Sequence, residues 1–164
     1  MKTAWEERNT IVANLFNPAF CGEVIRVVID KYNKHTNKMF PFAFSFIILP
    51  ILLHKKTREK MPKTVRTYIF VWVEENDNLF FDFSTRVKSM VKYTKEALSF
   101  LLAYKKIAIT NQGEINAINE RGKTIDKEDY EEYNEIMKKA EMLGKWLAST
   151  SDVKSIYSFF RIIP

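Results

Sequence analysis

Residues 39–66 read MFPFAFSFIILPILLHKKTREKMPKTVR and carry the longest apolar run of the chain. An apolar run from Phe40 to Leu53 passes directly into a basic run. The apolar half has to be buried, because apolar surface is stable only out of water. The basic half has to stay hydrated or meet negative charge. Within twelve residues it carries one acid, Glu59, and six cations: Lys55, Lys56, Arg58, Lys60, Lys63 and Arg66.

The composition of the chain predicts one compact, mainly α-helical domain over residues 1–164. Its 164 residues are 46% hydrophobic and 28% charged, which is ordinary for a globular protein. Only 4 Gly and 5 Pro are present, too few for a turn-dense β-sandwich or barrel.

The net charge of +6 is unevenly distributed. Residues 1–110 carry 18 Lys and Arg against 10 Asp and Glu, whereas residues 111–164 carry 8 against 10. A basic front is compatible with nucleic acid or an acidic protein as partner, and also with a simply solvated surface. The single Cys21 and the polar start MKTAWEERNT, without a signal peptide, predict a cytoplasmic protein. The apolar run is shorter than the ~20 residues that span a bilayer, so no membrane contact is expected.

The apolar periodicity, together with capping, proline and turn residues, predicts a series of helices and one hairpin. Asn17-Pro18 is expected to cap and start a helix that ends before a loop at 33–37. Pro50 is expected to kink a helix over 42–60 or to start a second helix there. Thr94 is expected to cap a helix of its own, and Asn111-Gln112-Gly113 signals a β-hairpin within 107–118. The other predicted segments are helices at 6–16, 78–90 and 153–160, a loop at 119–124, and a long helix that Asp126 caps, with a staple between Ile125 and Tyr130. Residues 67–75 are rich in β-branched and aromatic residues, which favours a strand, but their apolar run does not alternate, so a short buried helix is predicted there.

The order of helices followed by a hairpin is the outline of a winged helix-turn-helix, which serves in DNA binding and in protein interaction alike. Residues 17–118 would form a helical core with the hairpin, and residues 125–164 would form C-terminal helices that dock back on it. Gly144 is expected to allow another backbone to approach closely, and the apolar C-terminus is expected to be docked.

No residue pattern indicates catalysis, a metal or a cofactor. The two histidines, His35 and His54, lie on different segments, and Cys21 lies on an apolar helix face as a buried thiol would. Two carboxylate groups could suggest a small metal-dependent nuclease, but each fits a turn or a helix start: Glu74, Glu75 and Asp77, and Asp152-x-Lys154. We therefore expect a binding protein and not an enzyme.

The basic run is the best candidate surface. It could hold phosphates in a salt-sensitive manner, or meet an acidic patch on a protein. On a helix its charges are expected to wrap around the axis. This arrangement favours binding to a protein over binding to DNA.

Three stretches together resemble the middle component of bacterial three-component ABC systems. They are ILPILLHKKTREKMP, YTKEALSFLLAYKKIAITNQGEI and GKWLASTSDVKSIYSFFRIIP, and with Asn17-Pro18-Ala19 they span nearly the whole chain. Such components are similar to adaptors. They accompany an SMC- or Rad50-like ABC ATPase and an effector, often a nuclease, in defence against phage and plasmids, with Lamassu as the best-known type.

The resemblance implies a non-catalytic accessory subunit without a cofactor that binds these two proteins and reaches DNA through the complex. The candidate partner-binding residues are His54, Lys55, Lys56, Thr57, Arg58, Lys60, Trp146 and Arg161, with Lys63 and Arg66 as candidate nucleic-acid contacts. The alternative is a stand-alone winged-helix regulator that binds DNA, although the hairpin tip at 111–114 carries no positive charge.

Overall fold

A computed structural model of the chain describes residues 16–118, 131–150 and 152–163. This part of the chain is mainly helical, with seven α-helices and one small antiparallel sheet. The helices are α1 (Pro18–Thr36), α2 (Ser45–Leu52), α3 (Lys55–Lys60), α4 (Ile69–Glu75), α5 (Phe83–Ala103), α6 (Glu131–Ala148) and α7 (Val153–Phe159), and the strands are β1 (Phe40–Pro41), β2 (Ile107–Ile109) and β3 (Glu114–Ala117).

Helix α1 lies at the centre and packs against both α5 and α6. Its start is as predicted, because Asn17 Oδ1 accepts the backbone N–H of Ala19 at 2.8 Å and Pro18 follows at the first helical position. The predicted loop at 33–37 is wrong. The helix continues to Thr36, whose hydroxyl donates to Tyr32 O, and ends at Asn37, which has a left-handed φ of 53°.

The apolar run after β1 forms a 3₁₀ turn at Phe42–Phe44 and then helix α2, which is almost wholly buried. A second helix does begin in this region, but at Lys55 and not at Pro50, which lies inside α2. The break falls at residues 53–54 because His54, not the proline, supplies the cap for the next helix.

Helices α4 and α5 show one correct and one wrong prediction. The short buried helix predicted within 67–75 is confirmed as α4, which buries Ile69, Trp72 and Val73. The boundary predicted at Thr94 is wrong, because α5 runs unbroken through it and Thr94 is fully buried in its middle. Buried positions recur every three or four residues along α5, so one apolar face continues across the threonine.

The predicted hairpin is confirmed. Strands β2 and β3 pair antiparallel, with Ile109 opposite Ile115, and β1 adds to the other edge of β3. Gly113 closes the turn with a φ of 74°, a conformation that favours glycine. Helix α1, strand β1, helices α2 to α5 and the hairpin follow each other in this order along the chain.

Helix α6 crosses α1 at short range, as predicted for Gly144. A Cβ on this glycine would lie 2.5 Å from Val28 O, so the two backbones touch. After α7 the chain end packs back through buried Phe160 and Ile162, while Ile163 is exposed. The helix predicted at 6–16, apart from Phe16, the loop at 119–124, the cap at Asp126 and the staple of Ile125 and Tyr130 lie outside the described residues. None of the described helices combines the length and hydropathy that crossing a membrane requires.

Candidate partner-binding surface

Helix α3 carries its exposed charged residues on one side. Lys55, Lys56, Glu59 and Lys60 are exposed, whereas Thr57 and Arg58 are buried. Successive residues of a helix stand about 100° apart, so the four exposed residues fall within an arc of about 140°. The charges of α3 thus lie on both sides of its axis, as predicted, because Arg58 faces the interior, but all the exposed charges share one side.

Arg58 ties this helix to the rest of the molecule. It is only 1% exposed, and its Nη1 donates to Leu52 O at 2.8 Å. Its Nη2 donates to Glu132 Oε1 at 2.7 Å, and its Nε lies 3.5 Å from Glu135 Oε2. Arg58, predicted as a partner contact, is instead buried, where it meets negative charge within the chain and holds α3 against α6.

His54 caps α3 with its imidazole. Nδ1 accepts the backbone N–H of Thr57 at 3.3 Å and lies 2.6 Å from Thr57 Oγ1. Arg86 donates to the same Oγ1 at 3.2 Å and to Pro50 O at 3.1 Å. Since Arg86 donates to the threonine oxygen, the hydroxyl hydrogen is directed at Nδ1, which is then an acceptor in the neutral tautomer. Burial, followed by the charge of Arg86, lowers the pKa of His54.

Side chains from α4 and α6 fix the backbone that follows α3. Trp72 Nε1 donates to Lys60 O at 2.7 Å, and Trp146 Nε1 donates to Thr67 O at 2.8 Å. The ammonium of Lys139 donates to Met61 O and to Pro62 O, each at 3.0 Å. Burial lowers the pKa of Lys139, with the charge of Glu135 acting in the opposite direction. An irregular segment is thereby held at several carbonyl groups.

The outcome is an exposed set of cations on a fixed backbone, which we call the basic ridge: Lys55, Lys56, Lys60, Lys63 and Arg66. Glu59 is the only carboxylate within residues 55–66, and it lies 3.9 Å from the ammonium of Lys55. Two large apolar side chains, Val65 and Tyr68, are exposed beside the last cations. Exposed charged residues that surround exposed apolar side chains are typical of a protein interface.

The other two predicted site residues lie elsewhere. Trp146 is buried and packs on Trp72 with ring centroids 5.1 Å apart, so it supports the ridge from below. Arg161 is exposed, has a φ of 54°, and borders a groove of about 490 Å³. No residue of the basic ridge lines this groove, which is lined also by Glu74, Asp77, Phe80 and Phe81.

Sequence reasoning missed the side chains that hold the ridge. Glu132 and Lys139 contact residues 58–62, although more than 70 positions separate them in the chain. No local sequence pattern indicates such a contact. One feature of the sequence could have pointed to Arg86, because it is the single arginine on α5.

Two of the residues weighed for catalysis, Cys21 and Asp152, have structural roles. Burial raises the pKa of the Cys21 thiol to about 12, which suits an inert thiol. Asp152 caps α7, with Oδ1 accepting Ser155 N–H at 2.7 Å. Within the described ranges, no group of three or more His, Cys, Asp or Glu side chains is arranged to hold a metal ion.

The chain matches one family model over residues 5–164, that of the ABC-three component (ABC-3C) system Middle Component 3. The match covers nearly the whole chain, so the protein belongs to this family. It is an accessory middle component of a multicomponent ABC system, and partner proteins are part of its function. No curated protein and no solved structure matches the chain.

Proposed function

We propose that this middle component is a non-catalytic adaptor. It bridges an SMC- or Rad50-like ABC ATPase and an effector nuclease in a cytoplasmic complex of the Lamassu type, which defends against phage and plasmid DNA. Membership of the middle-component family supports the accessory role. The identity of both partners and the defensive purpose come from the resemblance described above.

The observation that carries the proposal is the basic ridge on its fixed backbone. Interfaces lose affinity when flexible segments have to be ordered on binding, and a pre-organised surface avoids that cost. The ridge pairs cations with the exposed Val65 and Tyr68, so it fits an acidic protein surface that contains an apolar pocket. We assign the ridge to the ATPase subunit.

The buried members of the predicted site take a supporting role in this proposal. Thr57, Arg58 and Trp146 hold the ridge, and His54 caps its helix. An adaptor needs a second contact surface, and Arg161 is the candidate there. It borders a groove together with Phe81, whose side chain is 94% exposed and suits an aromatic anchor.

A pull-down of the tagged protein from its native host tests the function. The retained proteins are identified by mass spectrometry after washing in moderate salt. An ABC ATPase and a nuclease among them are the expected result. Recovery of DNA without either protein would replace the adaptor with a stand-alone winged-helix regulator.

A further inference from the structure

We propose that an apolar groove beside the C-terminal tail binds an amphipathic α-helix of the effector subunit, with an acidic side chain of that helix on Lys88. We call it the tail groove, and Phe42, Phe46, Val91 and Ile163 are among the side chains that line it. It is separate from the basic ridge. The proposal deepens the proposed function by giving the chemistry of the second partner, and it rests on that function for the identity of the partner.

The tail groove has a volume of about 620 Å³, and its lining comes from α5, the C-terminal tail and the residues around the start of α2. Phe42 and Phe46 pack edge to face there, with ring centroids 5.4 Å apart. Val91 contributes from α5 and Ile163 from the tail. Ile163 is 79% exposed. The edge of the groove is therefore apolar surface that the described part of the chain leaves uncovered.

Hydrogen bonds fix the tail where it lines the groove. The hydroxyl of Tyr157 on α7 donates to Ala43 O in the 3₁₀ turn. The backbone N–H of Ile162 donates to Tyr157 O at 2.9 Å, and the side chain of Ile162 is buried. The groove is thus formed before a partner arrives, which lowers the entropic cost of binding.

The polar groups of the lining favour a helix over an extended peptide. Among the lining side chains only Tyr157 and Lys88 are polar, and the Tyr157 hydroxyl already donates to Ala43 O. An extended peptide carries backbone N–H and C=O groups that need partners when they are buried. A helix pairs these groups within itself, so it can place an apolar face in a groove that offers no such partners.

The charge at the groove indicates that the helix is acidic. Lys88 is the one charged residue of the lining, and Lys95 lies two turns further along α5, only about 20° around the axis. Glu96 follows Lys95 but stands about 100° away from it around the helix. Glu114, opposite Pro41 in the sheet, does not line the groove. A carboxylate next to apolar side chains is therefore the complement of this lining.

The same lining argues against two other occupants. A nucleic-acid backbone is held by several cations, whereas this groove offers it one lysine among apolar side chains. A second copy of the chain would have to present a helix with an uncovered apolar face. The long described helices α1, α5 and α6 bury theirs in the core of the chain. The partner is therefore a different protein.

The tail groove continues the second contact surface of the adaptor, which is left to the effector because the ridge is assigned to the ATPase. Arg161 lines the groove of Phe81, and the next residue, Ile162, lines the tail groove. On α5, Ser84 lines the first groove and Lys88, one turn later, lines the second. A single partner can therefore reach both grooves.

The test is co-expression of the tagged chain with the effector and the ATPase of its own system, followed by affinity purification and quantification of each band. The groove variant combines Lys88→Glu with Ile163→Asp, two exposed positions. The matched control combines Lys92→Glu with Leu102→Asp, which makes the same kinds of change at exposed positions of α5 outside the groove. Circular dichroism and melting temperature verify that both variants fold.

We expect the groove variant to lose about tenfold or more of the effector and to retain the ATPase, and the control to retain both. A carbodiimide joins lysine amines to carboxylates that they touch. In the wild-type complex it should link Lys88 to an acidic residue of the effector. Replacing that acidic residue with lysine should restore the effector to the Lys88→Glu chain.

Equal recovery of the effector by the wild type and the folded groove variant would overturn the proposal and leave the adaptor function intact. So would a wild-type complex in which Lys88 is linked only to this chain or to the ATPase. A wild type that recovers no effector would overturn the adaptor function and the proposal with it. Because the crosslinking uses the unaltered protein, it decides the matter even where a variant does not fold.

Discussion

The guanidinium of Arg58 donates to the carboxylate of Glu132 across 74 residues of sequence, at 2.7 Å. This contact joins a six-residue helix to the long C-terminal helix. The arginine is 1% exposed whereas the glutamate side chain is 70% exposed, so the pair lies at the edge of the interior. A helix this short is not stable alone, and its position depends on such tertiary contacts.

Replacing Arg58 with methionine is expected to lower the free energy of unfolding by about 2 kcal/mol. The change leaves the carbonyl of Leu52 without its donor, whereas the two exposed glutamates regain water. Lys55→Met, on the outer face of the same helix, is the control and should change stability by less than about 0.5 kcal/mol. Urea unfolding measures both. Equal stability of the two variants would refute the structural role of Arg58.

Gly144→Ala is expected to destabilise the protein by about 2 kcal/mol or more, because its Cβ would lie 2.5 Å from Val28 O and 2.8 Å from Lys31 Cβ. The clash outweighs the gain of up to about 1 kcal/mol in helix propensity. Gly22→Ala is the matched control. Its Cβ would meet the movable side chain of Leu101 at 3.3 Å, so the loss should be clearly smaller. Thermal unfolding that ranks the two variants in the opposite order would contradict the helix crossing.

The cap at His54 should make stability depend on pH. Its pKa is lowered in the folded protein from an ordinary value of 6.5. Just below pH 6.5 the unfolded chain binds the proton more readily, so the free energy of unfolding falls as the solution is acidified through that range. His54→Asn keeps an accepting cap without a titrating group and should reduce this loss.

His35→Asn is the control for the pH experiment, because His35 is exposed and lies on α1 away from the cap. Unfolding is followed in urea at several values between pH 7.5 and pH 5.5. The His35 variant should follow the wild-type profile. An unchanged profile in the His54 variant would disprove the role of the imidazole as acceptor.

Thr94→Val is expected to raise the free energy of unfolding by about 1 kcal/mol. The hydroxyl of Thr94 is buried in the middle of α5 without a hydrogen-bond partner among the residues that the structure describes, and valine has the same shape without this desolvated group. Chemical unfolding of the variant and the wild type measures the difference. A loss of stability would indicate that the hydroxyl has an acceptor in solution.

The sequence predicted those elements whose cause is local. Asn17-Pro18 starts α1 by its own side chain, and Gly113 closes the hairpin by its own backbone freedom. The predictions that were wrong concern residues whose usual local role, capping or ending a helix, was overridden by neighbouring residues. Thr94 is a common capping residue, but the apolar period of α5 continues through it. Pro50 can end a helix, but the cap at His54 places the break three residues later.

The candidate surface was predicted in part, for the same reason. A run of cations identifies a basic segment, and the exposed lysines of the ridge agree with that prediction. The inward direction of Arg58 depends on Glu132 and Glu135, which lie on a helix far along the chain. The contacts of Trp72, Trp146 and Lys139 with backbone carbonyl groups leave no periodic pattern in the sequence.

The central claim is that the basic ridge binds the ATPase of the same three-component system. The experiment is co-expression of that ATPase with the tagged protein, followed by affinity purification and quantification of the two bands. The account predicts near-equal amounts with the wild type and with Lys88→Glu, Lys92→Glu, Lys95→Glu, a control that changes the same number of exposed lysines on α5. It predicts a loss of most of the ATPase with Lys55→Glu, Lys56→Glu, Lys60→Glu, provided that this variant melts like the wild type. Full retention of the ATPase by the folded ridge variant would contradict the account.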